Sequence, residues 1–191
     1  ARIGAGQAYG RWLYVTIGTG VSGCVVVDGV PEPGTRGFAV HLANNPIRTP
    51  CVCCGRPSSQ TLEDVASGRG IVQTAVAAGA DVTRVEEVLR RGKEGDFRLA
   101  EIVLLAGRAM GSGIALAVNS TDPEAVVLGG GLGQARGPYR DALEQTLRED
   151  IIACGAKGLP VLRAAAGSDS GVIGSGFVAL RPRAGSGLCA T

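Results

Sequence analysis

Two short glycine-rich segments each follow a run of apolar and β-branched residues, and this arrangement is capable of binding a phosphate group. The segments are Gly18-Thr19-Gly20 and Gly129-Gly130-Gly131. Residues without a Cβ let backbone N–H groups approach an anion closely, and open α/β folds bind ligands at loops that follow sheet strands. The alternative is that both segments are ordinary turns. Because both segments occur in one chain and the first contains a threonine hydroxyl, a phosphate site and a pair of ordinary turns are equally supported hypotheses.

Neither segment has the sequence of a familiar nucleotide motif. No Gly-Lys-Ser/Thr follows them, so a P-loop is excluded. The stretch from Gly18 to Gly23 matches Gly-x-Gly-x-x-Gly, but residues 23–27 predict a strand where a dinucleotide-binding domain has a helix. This spacing match therefore carries no weight.

A second group of residues has the side chains of a metal site. It consists of the lone histidine and three neighbouring cysteines: His41, Cys51, Cys53 and Cys54. They lie in a proline-rich, irregular stretch over residues 30–59, and stretches of that length are usually functional. Because adjacent cysteines seldom face one ion together, His41, Cys51 and Cys54 would form a workable zinc set. The alternatives are a hydrogen-bonded histidine and ordinary reduced thiols.

The remaining pattern predicts an α/β domain, because strands alternate with helices of about 10 to 20 residues. Strands are expected at 12–17, 23–27, 125–128 and 160–163, and helices at 61–67, 69–79, 83–91, 96–118, 138–154 and 171–180. Asp28-Gly29 is a strong hairpin signal, so the first two strands are expected to be antiparallel neighbours. Gly107, Gly111 and Gly113 weaken an isolated helix, which indicates that they serve close packing.

Length and charge exclude several classes of protein. The chain has 191 residues and a net charge of +2, which suits one domain and disfavours nucleic-acid binding through bulk charge. Glycine makes up 31 residues without a Gly-X-Y period, so collagen is excluded. We expect no membrane span, because glycines and Arg108 interrupt the most apolar stretch. A cytoplasmic protein is expected.

Five motifs, in this order, resemble the ROK family of sugar kinases and sugar-responsive repressors. They are residues 13–23 (LYVTIGTGVSG), His41, Cys51-Val52-Cys53-Cys54-Gly55, residues 62–68 (LEDVASG) and residues 126–132 (VVLGGGL). The resemblance covers residues 1 to about 180. It implies the actin-like ATPase (ribonuclease H-like) fold, in which two α/β domains enclose a cleft. Residues 1–182 would be the C-terminal domain, and residues 183–191 a flexible tail.

The resemblance also implies an activity and a role for each motif. The reaction would transfer the γ-phosphoryl group of ATP, with Mg²⁺, to a sugar hydroxyl. Gly18, Thr19 and Gly20 would contact the ATP phosphates, and Gly129, Gly130 and Gly131 would lie beside the adenosine. His41 and Glu63 would contact the sugar, and His41, Cys51, Cys53 and Cys54 would supply ligands for a structural Zn²⁺. Family members pair through this domain, so a homodimer is expected.

Three departures from the family pattern modify this expectation. Phe38 stands where the family has a sugar-binding glutamate, which favours an amino sugar or cyclitol over plain glucose. Thr61 stands where the third zinc cysteine would be. In the family the general base is the aspartate of an Asn-Asp pair upstream of these motifs, and here no aspartate precedes Asp28. The base is therefore expected to be absent from these 191 residues, and the chain alone is expected to be inactive. The alternatives are the sugar-sensing domain of a repressor and a non-catalytic truncated paralogue.

Overall fold

Seven strands and six α-helices are found in residues 4–50 and 54–167, the part of the chain that the computed structural model describes. The strands are β1 (Arg11–Ile17), β2 (Val21–Val27), β3 (Val30–Glu32), β4 (Pro46–Pro50), β5 (Pro57–Thr61), β6 (Ala125–Gly129) and β7 (Val161–Arg163). The helices are α1 (Leu62–Ala66), α2 (Gly68–Ala77), α3 (Val85–Lys93), α4 (Phe97–Thr121), α5 (Gly130–Gln134) and α6 (Pro138–Asp150). Short 3-10 helices occupy Ala5–Ala8, Leu42–Asn44 and Cys154–Ala156.

Five of these strands form the main sheet in the order β3-β2-β1-β6-β7. Strand β1 runs antiparallel to β2 and parallel to β6, and β6 runs parallel to β7. The carboxyl ends of β1, β6 and β7 therefore meet at one edge of the sheet. Strands β4 and β5 form a separate antiparallel pair.

The main sheet is apolar on both faces. Leu13, Val15 and Ile17 alternate along β1 and are completely buried against the main helical core. Trp12 of the same strand points to the other face, where it joins a smaller cluster with Val26 and Val127. A strand buried on both faces explains the nearly continuous apolar run that begins at Trp12.

Glycines in α4 allow this long helix to lie directly against α6. A Cβ at Gly107 would collide with the carbonyl oxygen of Tyr139, and one at Gly111 would lie 2.5 Å from that of Leu143. A Cβ at Gly113 would lie 2.5 Å from Cδ2 of Leu62 in α1, so no side chain fits there. The prediction that these three glycines serve close packing is confirmed.

The apolar stretch that glycines and Arg108 were expected to interrupt forms one continuous helix, α4. Among the described residues it is the one helix long and apolar enough to cross a membrane by length and composition, with a mean hydropathy of 1.5 in its most apolar window. Of that window, 61% is buried inside the domain. Core helices of folded domains share this property, because burial on most sides demands apolar residues around the helix.

Most predicted elements are present, with four corrections. Strands β1 and β2 are antiparallel as expected, but Asp28-Gly29 connects β2 to β3, and Gly18–Gly20 connects β1 to β2. Residues 30–59 contain β3, β4 and most of β5. Helix α6 ends at Asp150 and not at Cys154, since Ile151 is extended. Gly130 and Gly131 begin a helix and do not form a loop. The predicted helix at 171–180 and the tail at 183–191 lie outside the described residues.

Candidate functional site

The two glycine segments lie side by side at the carboxyl edge of the sheet. Thr16 at the end of β1 is the register partner of Gly129 at the end of β6. A Cβ at Gly130, whose φ is +76°, would collide with the carbonyl oxygen of Ile17, and one at Gly129 would collide with the hydroxyl of Tyr14. Glycine is therefore required at Gly130 for this segment to approach the end of β1, whereas Gly129 leaves space for the Tyr14 side chain.

The first segment presents hydrogen-bond donors that the described residues leave unused. Within it, the N–H of Gly18 donates to the carbonyl of Gly20 over 2.9 Å. Thr19 is exposed, and in the described part of the chain neither its hydroxyl nor the N–H groups of Thr19 and Gly20 have a partner. Such a set of donors at the end of a strand suits a phosphate oxygen.

Helix α2 holds the other side of this segment. The N–H groups of Gly68 and Arg69 donate to the carbonyls of Gly18 and Thr19 over 2.8 and 3.3 Å. The helix itself is fixed by Ser67, whose buried hydroxyl accepts the N–H of Gly70 over 3.0 Å. The first two residues of the segment 18–20 are therefore hydrogen-bonded to the start of α2.

Glu63 of α1 lies directly against the same segment. Its Oε2 accepts the N–H of Val21 over 2.8 Å, and its Oε1 accepts Nη2 of Arg69 over 2.8 Å. Gly20 has no Cβ to obstruct this approach, since a Cβ there would lie 2.5 Å from Oε2. The predicted sugar residue thus adjoins the predicted phosphate segment.

Next to Glu63, a capping box begins α1. Thr61 and Asp64 bond reciprocally, with the Thr61 side chain accepting the N–H of Asp64 and the Asp64 carboxylate accepting the Thr61 N–H. The hydroxyl of Thr61, followed by its N–H, lowers the pKa of Asp64 below its ordinary value through these hydrogen bonds. The cap fixes the first turn of α1 and with it the position of Glu63.

The segment that carries His41 reaches α1 from the other side. His41 is exposed and precedes the 3-10 helix Leu42–Asn44, after which the carbonyl of Asn45 accepts the N–H of Leu62 over 2.9 Å. The side-chain amide of Asn44 lies 2.7 Å from Nε2 of His41. No hydrogen bond joins His41 to Glu63 among the described contacts, so the structure brings their elements together without linking the two side chains.

Two features beside His41 depart from ordinary surface structure. Phe38 is 69% exposed and packs edge-on against the imidazole, with ring centroids 6.0 Å apart. Val40 has a φ of +57°, which is strained for a β-branched residue. Strain of this kind is concentrated at functional sites.

The sequence analysis predicted neither the strain at Val40 nor the contacts of Arg69, although Arg69 directly follows the Ser67-Gly68 motif.

The described residues contain no cluster of three or more histidine, cysteine, aspartate or glutamate side chains that could hold a metal ion. Cys54 is exposed, and Cys51 and Cys53 of the predicted zinc set lie outside the described residues. Asn44 is placed at Nε2 of His41, and no hydrogen bond to Nδ1 is found among the described residues.

A parallel sheet edge with two adjoining glycine segments, backed by helices, is the arrangement of one domain of the actin-like ATPase fold. The ROK family model matches residues 1–181, and the chain belongs to this family. The fold predicted from the resemblance is confirmed.

Solved structures of ROK family proteins share this fold. The ROK hexokinase from Thermus thermophilus superposes with a TM-score of 0.79 at 32% identity, covering 93% of this chain and 60% of that one. The ROK family glucokinase from Streptomyces griseus, solved with glucose and AMPPNP, has a TM-score of 0.72 at 24% identity and covers 91% and 62%.

Among curated relatives, the N-acetylmannosamine kinase of Escherichia coli strain 55989 is 31% identical over 169 residues, 87% of this chain and 56% of that protein. The Haemophilus influenzae strain PittEE enzyme of the same name is 28% identical and is covered over 54% of its length. The chain therefore spans about half the length of the curated relatives it matches.

Proposed function

We propose that this chain is the C-terminal domain of an ATP-dependent sugar kinase that transfers the γ-phosphoryl group to a sugar hydroxyl. The observation that carries the proposal is the junction of Gly18–Gly20 with Gly129–Gly131, where unused backbone donors lie beside Glu63. Phosphoryl transfer asks a protein mainly to position its reactants and stabilise charge, and this junction supplies such groups.

Each group has a distinct task in this proposal. The N–H groups of Thr19 and Gly20 and the Thr19 hydroxyl bind phosphate oxygens. Gly129–Gly131 lie beside the nucleoside, and only at Gly131 is the Cβ position free of contacts within 4 Å. Glu63 accepts a hydrogen bond from a hydroxyl of the sugar, and His41 contacts the sugar from the neighbouring segment. When bound, Mg²⁺ would neutralise phosphate charge. We propose that an N-terminal domain supplies the general base for the sugar hydroxyl.

We propose an amino sugar as the acceptor, with a cyclitol as the second choice. Phe38 takes the position of a carboxylate that would accept hydroxyl hydrogen bonds, and a sugar hydroxyl left unpaired there costs about 1 to 3 kcal/mol. The curated relatives named above phosphorylate N-acetylmannosamine according to their names, and this agrees with an amino sugar.

The test is a coupled assay of ADP release by the full-length protein with N-acetylmannosamine, glucose and myo-inositol. We expect turnover with the amino sugar to exceed turnover with glucose. Gly130→Ala should abolish turnover because its Cβ meets the carbonyl of Ile17, whereas Gly155→Ala, with nothing within 4 Å of the new Cβ, should retain it. Absence of ADP release with every sugar would refute the proposal.

A sugar-sensing domain of a repressor is the second candidate, favoured by Phe38 in place of the family glutamate. A ROK family transcriptional regulator homologous to the E. coli Mlc protein shares the fold, with a TM-score of 0.70 at 23% identity. Calorimetric sugar binding without any ADP release would favour this candidate over the kinase.

Three further proposals concern metal, assembly and location. We propose a structural Zn²⁺ on His41 and the cysteines at 51, 53 and 54, a homodimer, and a cytoplasmic location. Metal analysis of the purified protein should find about one zinc per chain, lost in Cys51→Ser. Light scattering after size exclusion should give twice the chain mass. A zinc-free protein or a monomer would contradict the respective proposal.

A further inference from the structure

Arg69 closes a ring of hydrogen bonds around the segment Gly18–Gly20. Its backbone N–H donates to the carbonyl of Thr19, and its guanidinium donates to Oε1 of Glu63. The second oxygen of Glu63 accepts the N–H of Val21, at the far end of the segment. The ring therefore runs from Thr19 through Arg69 and Glu63 to Val21.

This ion pair differs from the exposed pairs elsewhere on the domain. Arg90 of α3 also pairs with Glu94, the residue that follows this helix, but both side chains are more than half exposed and lie only four residues apart. The Arg69 side chain is similarly exposed, at 54%, whereas Glu63 is only 25% exposed and is bonded to a second element. An isolated surface pair contributes little, but a pair that fixes a shared carboxylate sets its geometry.

The geometry has a consequence for the acceptor. Oε1 of Glu63 is bonded to Arg69 and Oε2 to Val21, so the position and the orientation of the carboxylate are both fixed. Each oxygen retains a lone pair, so a sugar hydroxyl can still donate to it. Without the guanidinium, Glu63 keeps a single anchor and can rotate away.

We infer that Arg69 is a positioning residue that orients Glu63 toward the acceptor sugar and couples this carboxylate to the segment 18–20. The inference rests on the proposed kinase function for its catalytic consequence. Its structural part, the fixation of Glu63 against Val21, stands independently of any activity.

The structural part is tested by amide hydrogen exchange at Val21 in the Arg69→Met variant. Methionine keeps much of the side-chain bulk and cannot donate to Glu63. We expect exchange at Val21 to become about tenfold faster, because its acceptor is less firmly held. The matched control is Arg90→Met, which removes an arginine of similar exposure from an ion pair on another helix and should leave Val21 unchanged. An unchanged Val21 in Arg69→Met would overturn the inference.

The catalytic part is tested by the steady-state kinetics of the full-length protein. In Arg69→Met we expect the KM for the acceptor sugar to rise about tenfold while the KM for ATP stays within about twofold. Arg69→Lys keeps a cationic donor and should recover most of the loss. An unchanged acceptor KM, or equal rises in both KM values, would overturn the positioning role.

These outcomes separate this inference from the proposed function. If the wild-type protein releases no ADP with any sugar, the proposed function fails, and the exchange at Val21 then decides whether Arg69 fixes Glu63. If the wild type is active but Arg69→Met is indistinguishable from it in Val21 exchange or in acceptor KM, the inference alone fails.

Discussion

The carboxylate of Glu63, predicted to bind the sugar, is hydrogen-bonded to two neighbouring elements. It accepts the N–H of Val21, which adjoins the phosphate segment, and it pairs with Arg69 at the start of α2. Thr19, in the middle of the segment, is in the opposite situation, because it is an exposed residue whose hydroxyl and N–H have no partner among the described residues. The Glu63 carboxylate is thus held by the protein, whereas the two donors of Thr19 can meet a ligand.

This difference gives a prediction for Thr19→Val. Because the hydroxyl makes no described hydrogen bond, its loss should change the free energy of unfolding by less than about 0.5 kcal/mol. The same loss should lower kcat/KM for ATP about tenfold, since one phosphate donor is removed. Urea unfolding and the coupled assay measure the two effects.

Thr83→Val is the matched control, since Thr83 is an exposed threonine in the connection between α2 and α3. It should alter neither quantity. A large loss of stability in Thr19→Val, or equal activity in the two variants, would show that Thr19 does not serve the nucleotide.

Among the elements, α4 and α6 form the frame behind the sheet, and α1 and α2 place the site residues. The two frame helices approach so closely that backbone atoms of α6 occupy the space of missing side chains on α4. Tyr139 of α6 also donates its buried hydroxyl to the carbonyl of Ala66 over 2.8 Å, which ties the frame to the end of α1. Burial raises the pKa of Tyr139 far above its ordinary value, so this donor stays protonated.

Close packing of the frame predicts the effect of Gly111→Ala. The new Cβ would lie 2.5 Å from the carbonyl of Leu143 and 2.9 Å from Cβ of Thr146, so the helices must move apart. We expect a loss of about 2 kcal/mol in the free energy of unfolding, measured by urea titration. Gly155→Ala is the control, since its Cβ meets nothing within 4 Å. Equal stability of the two variants would contradict this packing.

The capping box of α1 predicts a pH dependence of stability. The pKa of Asp64 is lowered in the folded state, so its ionised form contributes stability that is complete above the unfolded pKa of about 3.9. This contribution is lost as pH falls below that value through the lower folded pKa. The stability difference between the wild type and Asp64→Asn should therefore be constant above about pH 5 and shrink below about pH 4.

Urea unfolding of both proteins between pH 3 and pH 6 measures this difference. Asp141→Asn, which changes an exposed first-turn aspartate of α6 without a capping box, is the comparison. A difference for Asp64→Asn that stays constant down to pH 3 would contradict the role of the box.

For the whole molecule, local patterns predicted the order of elements well, and contacts between distant residues account for what was missed. Apolar runs ended by glycines located β1 and β6, because burial on both sheet faces demands such runs. Helix α5 was missed because glycine is a poor helix former, and here Gly130 is required by the approach of Ile17. The hairpin at Asp28-Gly29 was assigned to the wrong strands, since β3 is short and has no apolar alternation.

In the candidate site, too, local sequence predicted some residues, and contacts between distant residues account for those that were missed. Glu63 and the glycine segments were found through motifs, since each lies in a continuous stretch of residues. The ring through Arg69 could not be found in this way, because it depends on a side-chain contact between α1 and α2 and on their docking against the turn after β1. The zinc set at 51, 53 and 54 remains a prediction.

The central claim is that the two adjoining glycine segments bind the nucleotide. Amide hydrogen exchange of the full-length protein with and without AMPPNP tests it most directly. We expect protection at residues 17–21 and 128–134, where the segments meet. Protection confined to the groove lined by Arg136, Arg140 and Arg163, with residues 17–21 unchanged, would contradict the claim.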